Sequence, residues 1–306
     1  MENLIETIGL TKRYKKQLAL NDVSIHVRQG EIYGLIGKNG AGKSTFFKTL
    51  MGLAPEYSGE ILLFGERSSA ELNDARQRMG FMMGANFFPY LTARENLEYY
   101  RKLKGISDAS EVDRVLKLVE MDQVNKKFKA FSMGMKQRVS IANALMGSPD
   151  IIVLDEPING LDPQGIADFR KIVQKLNKEQ QITFLISSHI LGELELMATR
   201  FGFIHDGVLI EELDRETIRN KTEEKVVVRT NDVEKTAYLL EQHFDNIDYT
   251  VNSGQEIVIS KMTDRVDEIA QLIVKNELKL YKLISQEISI QDYYLNLLAK
   301  GGEQHV

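Results

Sequence analysis

The chain has 306 residues, of which 43% are hydrophobic and 27% are charged, a composition typical of a folded protein with room for two domains. Its formal net charge of −5 argues against nucleic acid as the main ligand, and the absence of cysteine excludes disulfides, thiolate metal sites and thiol catalysis. No run approaches about 18 apolar residues and the N-terminal sequence does not resemble a signal peptide, so we expect any membrane association to depend on a partner.

The first segment of the chain predicts a small β layer. Apolar and polar residues alternate in the second of its two predicted strands, residues 2–8 and 22–28. Residues 11–14 are predicted to form a turn between these strands. The turn ends in Tyr14, whose ring could stack on a nucleotide base.

A glycine-rich segment follows the predicted buried strand 32–36. It fits the pattern G-x-x-x-x-G-K-[ST], in which backbone N–H groups cradle a polyphosphate, the lysine reaches its outer phosphates and the hydroxyl holds magnesium. The matching residues, called the phosphate loop below, are Gly37, Lys38, Asn39, Gly40, Ala41, Gly42, Lys43, Ser44 and Thr45. Residues 45–51 predict a helix whose N-terminus would face the anion. A glycine-rich turn without a ligand is the alternative.

An apolar segment, residues 79–92, is interrupted by glycine and proline and predicts a strand that runs into a loop. The large apolar side chains of this loop either fold inward or form an exposed patch that docks a partner. They are Phe87, Phe88, Tyr90 and Leu91.

The central part of the chain predicts a helical insert, at about residues 87–148, between two halves of an α/β domain. Residues 93–104 and 109–121 have the apolar spacing of helices. A third helix is predicted from Ser132 to about Met146. Ser132 is placed as its N-cap, which makes a second helix N-terminus available to an anion.

Two acidic residues end the next strand. The apolar run Ile151–Leu154 predicts a buried parallel strand, and Asp155 and Glu156 follow it directly. Such a pair is often a helix-entry turn, but beside a phosphate loop it favours a magnesium ligand and a base. A further predicted strand, 182–186, leads to His189 at the same sheet edge, where ligands of parallel sheets bind.

These motifs occur in the order found in the ATP-binding subunits of ABC transporters, and the chain resembles that family. Tyr14 matches the aromatic residue that stacks on adenine, and the phosphate loop matches the Walker A motif. Asp155 and Glu156 match the Walker B motif and its catalytic acid, and His189 matches the switch histidine. The resemblance implies an α/β P-loop NTPase domain with a helical subdomain and a β layer.

Two further motifs extend the resemblance over residues 1–215. Ser132 and Gly134 match the family's signature motif, and Leu161-Asp162 matches its D-loop. In the family, the signature residues of one subunit close over ATP that is bound to the other. The resemblance therefore implies a sandwich dimer of two copies of the chain.

The resemblance also implies ATP and Mg²⁺ as cofactors and a role for each site residue. Lys43 would hold the β and γ phosphates, while Ser44 and Asp155 would hold Mg²⁺ directly or, for Asp155, through water. Glu156 would orient or deprotonate the attacking water, and His189 would contact the γ-phosphate.

The amino-acid sequences of three segments most resemble those of the separate ATPase subunits of bacterial exporters, which confer resistance or immunity to peptide antibiotics such as bacitracin and lantibiotics. These segments are residues 131–138, 159–163 and 187–191. The likeness implies a peripheral subunit at the cytoplasmic face of the bacterial membrane. It would energise a separate permease that exports a peptide antibiotic or another amphipathic substrate.

The sequence departs from the family pattern in three places. No glutamine or glutamate occurs between Gly80 and Leu91, where the family's Q-loop normally has one, and this puts in doubt the usual link between magnesium, the attacking water and the permease. Met133 and Met135 stand where glycine and glutamine are common. Lys38 replaces a frequent proline and adds a cation near the phosphates.

The pattern changes after residue 215, and residues 216–306 predict a small α+β domain. The predicted order βαββαβ, followed by a last helix, suggests a ferredoxin-like fold. No chemistry is evident there, so the domain is interpreted as a packing or dimerisation module, with a regulatory ligand site as the alternative.

Two rival functions remain open at the level of sequence. One is a soluble ABC ATPase that clamps a ribosome or DNA, although the chain carries one cassette and no sustained heptads, and no nucleic acid is expected as a partner. The other is a regulatory ATP-binding module with low turnover, which the missing glutamine keeps open.

Overall fold

The computed structural model describes residues 2–15, 17–83, 87–221, 225–252, 254–260, 262–286 and 289–302. The chain divides into two compact units, Met1–Arg215 and Glu216–Val306. In the described part of the chain, no helix has the length and apolarity needed to cross a bilayer.

The β layer of the first unit is built on one long strand. β1 (Asn3–Tyr14) pairs antiparallel with β2 (Gln17–Val23), β3 (His26–Arg28) and β5 (Ser58–Leu63). The predicted turn at 11–14 is wrong, because these residues continue β1 and pair with β2. The chain reverses only after Tyr14, which pairs with Gln17.

The central sheet has the strand order β10-β9-β4-β8-β7-β6. Its strands are β4 (Ile32–Ile36), β6 (Met79–Met82), β7 (Ile151–Leu154), β8 (Thr183–Ser188), β9 (Arg200–His205) and β10 (Val208–Asp214). All neighbours are parallel except β9 and β10, which form an antiparallel hairpin. Every residue of β4, β7 and β8 is buried, so both faces of the sheet centre are covered and their carboxyl ends meet at one edge.

The helices of the first unit are α1 (Lys43–Leu50), α2 (Ser69–Gln77), α3 (Ala93–Leu103), α4 (Glu111–Leu118), α5 (Met133–Leu145), α6 (Pro163–Gln180) and α7 (Leu191–Glu195). Helix α8 (Arg215–Lys221) begins at the last residue of this unit and otherwise belongs to the second. Phe46 and Phe47 of α1 are fully buried in one core with Ile5 of the β layer and Leu35 of the central sheet. This packing holds the N-terminus of α1 rigidly at the sheet edge.

Helix α2 lies in a polar segment in which no helix was predicted. It buries only Leu72 and Ala75, so its apolar pattern is weak. A capping box supports it: the Ser68 side chain accepts from the Glu71 N–H, and the Glu71 carboxylate accepts from the Ser68 N–H.

The three predicted helices of the insert are present as α3, α4 and α5. The loop before them, residues 87–91, is called the aromatic loop; one of its aromatic side chains folds inward and two are exposed. Phe87 is buried against Phe128, with ring centroids 4.9 Å apart, whereas Phe88 and Tyr90 are 43% and 72% exposed. Residues 84–86, within the segment that lacks the family's glutamine, lie outside the described residues.

The second unit is an antiparallel sheet with helices. Its elements are β11 (Lys225–Thr230), α9 (Val233–His243), β12 (Tyr249–Val251), β13 (Ile257–Ser260), α10 (Val266–Lys275), β14 (Leu280–Gln286) and α11 (Ile290–Gly302). The strand order is β12-β13-β11-β14, and the core contains Val226, Leu240, Ile259 and Ile269. This order, with βαββαβ connectivity before α11, is that of a ferredoxin-like fold.

Candidate active site

The phosphate loop joins β4 to α1, and close packing requires two of its glycines, Gly37 and Gly42. A Cβ atom on Gly37 would lie 2.5 Å from the Ile204 carbonyl oxygen, and one on Gly42 would lie 2.7 Å from the Ala19 carbonyl oxygen. Gly42, the N-cap of α1, also has a φ of 108° that side-chain-bearing residues rarely adopt. The loop is thus clamped between β2 and the end of β9, with the positive end of α1 at the sheet edge.

Lys43 is the buried cation of the loop, with 5% of its surface exposed. Its Nζ donates to the carbonyl oxygens of Gly37 (2.6 Å) and Lys38 (3.2 Å). It also lies 3.0 Å from Glu156 Oε1, in an ion pair without an aligned hydrogen bond. A buried ammonium is favourable only when it is paired, so these contacts hold the charge at the centre of the loop.

The acidic turn, Asp155 and Glu156, follows β7 and faces Lys43. Glu156 has a φ of 48° in the left-handed region, and its Oε2 lies 2.8 Å from His189 Nδ1. One carboxylate therefore contacts both the lysine of the phosphate loop and the histidine after β8. These three side chains come from separate segments, and the parallel sheet brings their ends together.

A cavity of about 450 Å³, called the phosphate cavity, contains this arrangement. It is lined by Tyr14, by residues 39–45 of the phosphate loop and by Glu156. Tyr14 is 44% exposed at the end of β1, with Lys12 Nζ 5.0 Å from its ring centroid. An exposed ring at the rim of a phosphate site can stack on a base.

Three further predicted site residues, Ser132, Gly134 and Asp162, line a different cavity of about 650 Å³, called the signature cavity, whereas Asp155 and His189 line neither cavity. Ser132 caps α5 and accepts from the Met135 N–H at 3.3 Å, and Asp162 caps α6 and accepts from the Gly165 N–H at 2.9 Å. A Cβ atom on Gly134 would meet no atom within 4 Å. None of the residues that line the phosphate cavity lines the signature cavity. One chain therefore does not join its signature residues to its own phosphate loop.

The donor set at the sheet edge fits Mg²⁺ bound largely through a substrate. Mg²⁺ is usually held by one or two carboxylates together with phosphate oxygens and water. Asp155, directly after β7, supplies a carboxylate, and Ser44, exposed at the start of α1, supplies a hydroxyl. Among the described residues, no three acidic or histidine side chains form a ready metal cluster, as expected for a metal that arrives with its nucleotide.

Three residues at the site were not singled out as site residues from the sequence. Ser187 contacts both members of the acidic turn, while Asp206 and Gly207 line the phosphate cavity. Asp206 and Gly207 form the turn between β9 and β10, and the Gly207 N–H donates to the Ala41 carbonyl oxygen at 3.0 Å. The parallel pairing of β7 with β8 is the signal that could have identified Ser187.

A glutamine from helix α5 contacts the residue that follows the acidic turn. Gln137 of α5 contacts the Pro157 carbonyl oxygen through its Nε2, and the same atom lies 3.6 Å from Met82 Sδ. This links the helical insert to the segment after β7.

The fold and the site together define a P-loop nucleoside triphosphatase. The sequence profile of the ABC transporter family matches residues 20–159. The chain is 38% identical to the bacitracin transport ATP-binding protein BcrA of Bacillus licheniformis, over 98% of this chain and 99% of that protein. It is 38% identical to the lantibiotic transport ATP-binding protein SrtF of Streptococcus pyogenes, over 72% of this chain and 95% of that protein.

Solved structures agree with this assignment. A dimeric ATP-binding cassette in a post-hydrolysis state, bound to ADP and Pi, is similar with a TM-score of 0.61 and 27% identity, over 69% of this chain and 98% of that chain. The chain therefore belongs to the ATP-binding subunits of ABC transporters. It is an ATPase subunit that works with a separate permease.

Proposed function

We propose that two copies of this chain bind ATP and Mg²⁺ between them and thereby energise the export of a peptide antibiotic or another amphipathic substrate. The relatives named for bacitracin and lantibiotic transport support this substrate class. The observation that carries the proposal is the division of the site residues between two separate cavities of one chain.

A site divided in this way becomes complete when two copies face each other. Ser132 and Gly134 lie at the N-terminus of α5, whose unpaired N–H groups attract a phosphate. No atom lies within 4 Å of a Cβ built on Gly134, so a γ-phosphate held by a second copy could approach this backbone closely. The two halves then enclose the triphosphate in a dry interface, where hydrogen bonds to the transition state have their largest effect.

Within the phosphate cavity, the residues have distinct binding roles. Tyr14 stacks on the adenine, and Lys43 with the N–H groups of the loop binds the β and γ phosphates. Ser44, and Asp155 directly or through water, would hold Mg²⁺, which would supply charge neutralisation of the phosphates. Asp162, in the signature cavity of the second copy, orients the segment that approaches the same nucleotide.

Glu156 performs the proton chemistry, and His189 orients it. Glu156 accepts the proton of the attacking water, and His189, whose Nδ1 lies 2.8 Å from Glu156 Oε2, keeps the carboxylate directed into the cavity. A polyphosphate carries more negative charge than a carboxylate and competes for Lys43, which releases Glu156 Oε1 for the water.

The aromatic loop is the proposed permease contact. Tyr90 is 72% exposed, and Phe88 and Tyr99 form an exposed edge-to-face pair with ring centroids 5.0 Å apart. Large exposed aromatic side chains grouped on one face are typical of protein interaction sites. A cytoplasmic helix of the permease would pack on this surface.

Gly134→Asp is the variant that tests the shared site. The new carboxylate would face the γ-phosphate of the other copy, so we expect ATP binding to each monomer to persist while ATP-dependent dimers are lost and hydrolysis falls at least about 10-fold. Light scattering after size-exclusion chromatography, with and without a non-hydrolysable ATP analogue and Mg²⁺, measures the dimer.

Gly192→Asp is the matched control, because Gly192, like Gly134, is a helical glycine without an atom within 4 Å of its Cβ; Gly192 is exposed, whereas Gly134 is half-buried. It should dimerise and hydrolyse ATP as the wild type does. A Gly134→Asp protein that still dimerises and turns over normally would contradict the shared site.

Capture of partners from detergent-solubilised membranes tests the transport role. The wild-type chain is expected to retain a polytopic membrane protein, and Tyr90→Asp is expected to retain at least about 10-fold less, because a charge in an apolar contact is costly. Tyr238→Asp is the control, since Tyr238 is similarly exposed, at 61%, but lies in the second unit. Capture of ribosomes or DNA instead would favour the soluble alternative.

A further inference from the structure

Ser187 lies beside the acidic turn on the neighbouring strand. The parallel register of β7 and β8 pairs Leu154 with Ile186, so the next residues along the two segments, Asp155 and Ser187, are adjacent. Ser187 is fully buried. Its Oγ donates to Asp155 Oδ1 at 2.7 Å and accepts from the Glu156 N–H at 2.8 Å. One hydroxyl therefore contacts both residues of the turn.

The bond to the Glu156 N–H supports an uncommon backbone conformation. The φ of 48° at Glu156 lies in the left-handed region, which residues with a Cβ atom adopt rarely because of steric crowding. A buried N–H without a partner would make that conformation still less favourable. Ser187 supplies the partner, and it thereby stabilises the backbone from which Glu156 reaches Lys43 and His189.

The bond to Asp155 orients the other carboxylate. A hydrogen bond to Oδ1 restricts rotation of the side chain and leaves Oδ2 to face a metal ion. The hydroxyl is a neutral donor, so it does not neutralise the charge that Mg²⁺ requires. Groups that orient a metal ligand in this way typically contribute to both metal affinity and activity.

We propose that Ser187 is a positioning residue for ATP hydrolysis, which acts through Asp155 and Glu156 without touching the nucleotide. The proposal rests on the metal and base roles proposed above for those two residues. It predicts that removal of one buried hydroxyl impairs turnover and metal binding together, while base stacking and the lysine contacts to ATP are retained.

Ser187→Ala in the full-length chain removes the hydroxyl with little change in volume. We expect kcat to fall about 10- to 100-fold. We also expect the affinity for Mn²⁺ in the presence of ADP, measured by electron paramagnetic resonance, to fall about 10-fold. The KM for ATP should change less than about twofold, because ground-state binding is retained. Ser187→Thr keeps a hydroxyl and should restore most of both losses.

Thr183→Val is the matched control at the other end of the same strand. Thr183 is also fully buried, and its Oγ1 accepts from the Gly30 N–H at 2.8 Å, far along the strand from the acidic turn. Its replacement deletes a buried hydroxyl that accepts a backbone hydrogen bond, as the Ser187 hydroxyl does. If the lost hydroxyl of Thr183 affects only stability, Thr183→Val lowers the melting temperature. Its kcat and its affinity for Mn²⁺ should stay at wild-type values.

The proposal is overturned if Ser187→Ala lowers the melting temperature as Thr183→Val does but leaves kcat and Mn²⁺ binding within about twofold of wild type. If the alanine variant does not fold, Ser187→Cys replaces it, since a thiol is a weak donor and acceptor; a cysteine variant as active as the threonine variant overturns the proposal equally. Glu156→Gln is assayed in parallel. If hydrolysis depends on Glu156 but not on the Ser187 hydroxyl, the proposed function stands and only the role of Ser187 is contradicted.

Discussion

Lys43→Ala is expected to abolish productive ATP binding and to lower hydrolysis about 100- to 1,000-fold. The ammonium is held between the carbonyl oxygens of Gly37 and Lys38 and the carboxylate of Glu156, at the centre of the phosphate loop. No other cation is placed there within the described residues that line the phosphate cavity. Its removal leaves the dipoles of the loop and of α1 without the ammonium that binds the β and γ phosphates directly. Equilibrium binding of a fluorescent ATP analogue and steady-state phosphate release measure the two effects.

Lys48→Ala is the control for this variant, because Lys48 is an exposed lysine on the same helix and its loss changes the net charge equally. It should bind and hydrolyse ATP normally. Lys43→Arg is also expected to lose productive ATP binding and hydrolysis, since the planar guanidinium is larger than the ammonium and does not fit the same contacts. Retention of tight ATP binding by Lys43→Ala would remove Lys43 from the site.

Glu156→Gln is expected to bind ATP while hydrolysing it at least about 100-fold more slowly, which is the loss expected for a missing general base. The amide keeps the shape of the side chain but cannot accept the proton of the attacking water. It also cannot neutralise Lys43, so the phosphates meet less competition for the ammonium and ATP affinity should be equal or higher. ATP-bound dimers should therefore accumulate, as measured by light scattering.

Glu179→Gln is a suitable control, because Glu179 is exposed on α6 and the substitution is the same. Its turnover should match that of the wild type. Near-normal hydrolysis by Glu156→Gln would show that another group accepts the proton, and it would also remove the reason for positioning by Ser187.

The sequence predicted the catalytic edge because parallel strands follow a local rule. The buried apolar runs before the phosphate loop, before Asp155 and before His189 indicate strands whose carboxyl ends share one edge. In the structure, Glu156 lies within 3.0 Å of Lys43 and 2.8 Å of His189. The distances themselves, and the left-handed backbone of Glu156, are not contained in the pattern of apolar residues.

Two errors in the prediction of elements have physical causes. Residues 11–14 contain polar and basic side chains typical of a turn, but pairing with β2 continues β1 through them. Helix α2 has almost no apolar face, and it is supported by the reciprocal bonds of Ser68 and Glu71. In both places, hydrogen bonds to specific partners outweigh hydrophobic periodicity.

The sequence by itself determined the class of protein and the nucleotide motifs, because turn residues, caps and apolar periods act over a few neighbouring residues. Only the tertiary structure decided that Ser187 bonds to both acidic residues, that Asp206 and Gly207 reach the phosphate cavity, and that Ser132 and Gly134 lie in another cavity. These relations join segments far apart in the chain. They depend on strand register and on packing distances, which no local pattern of residue types specifies.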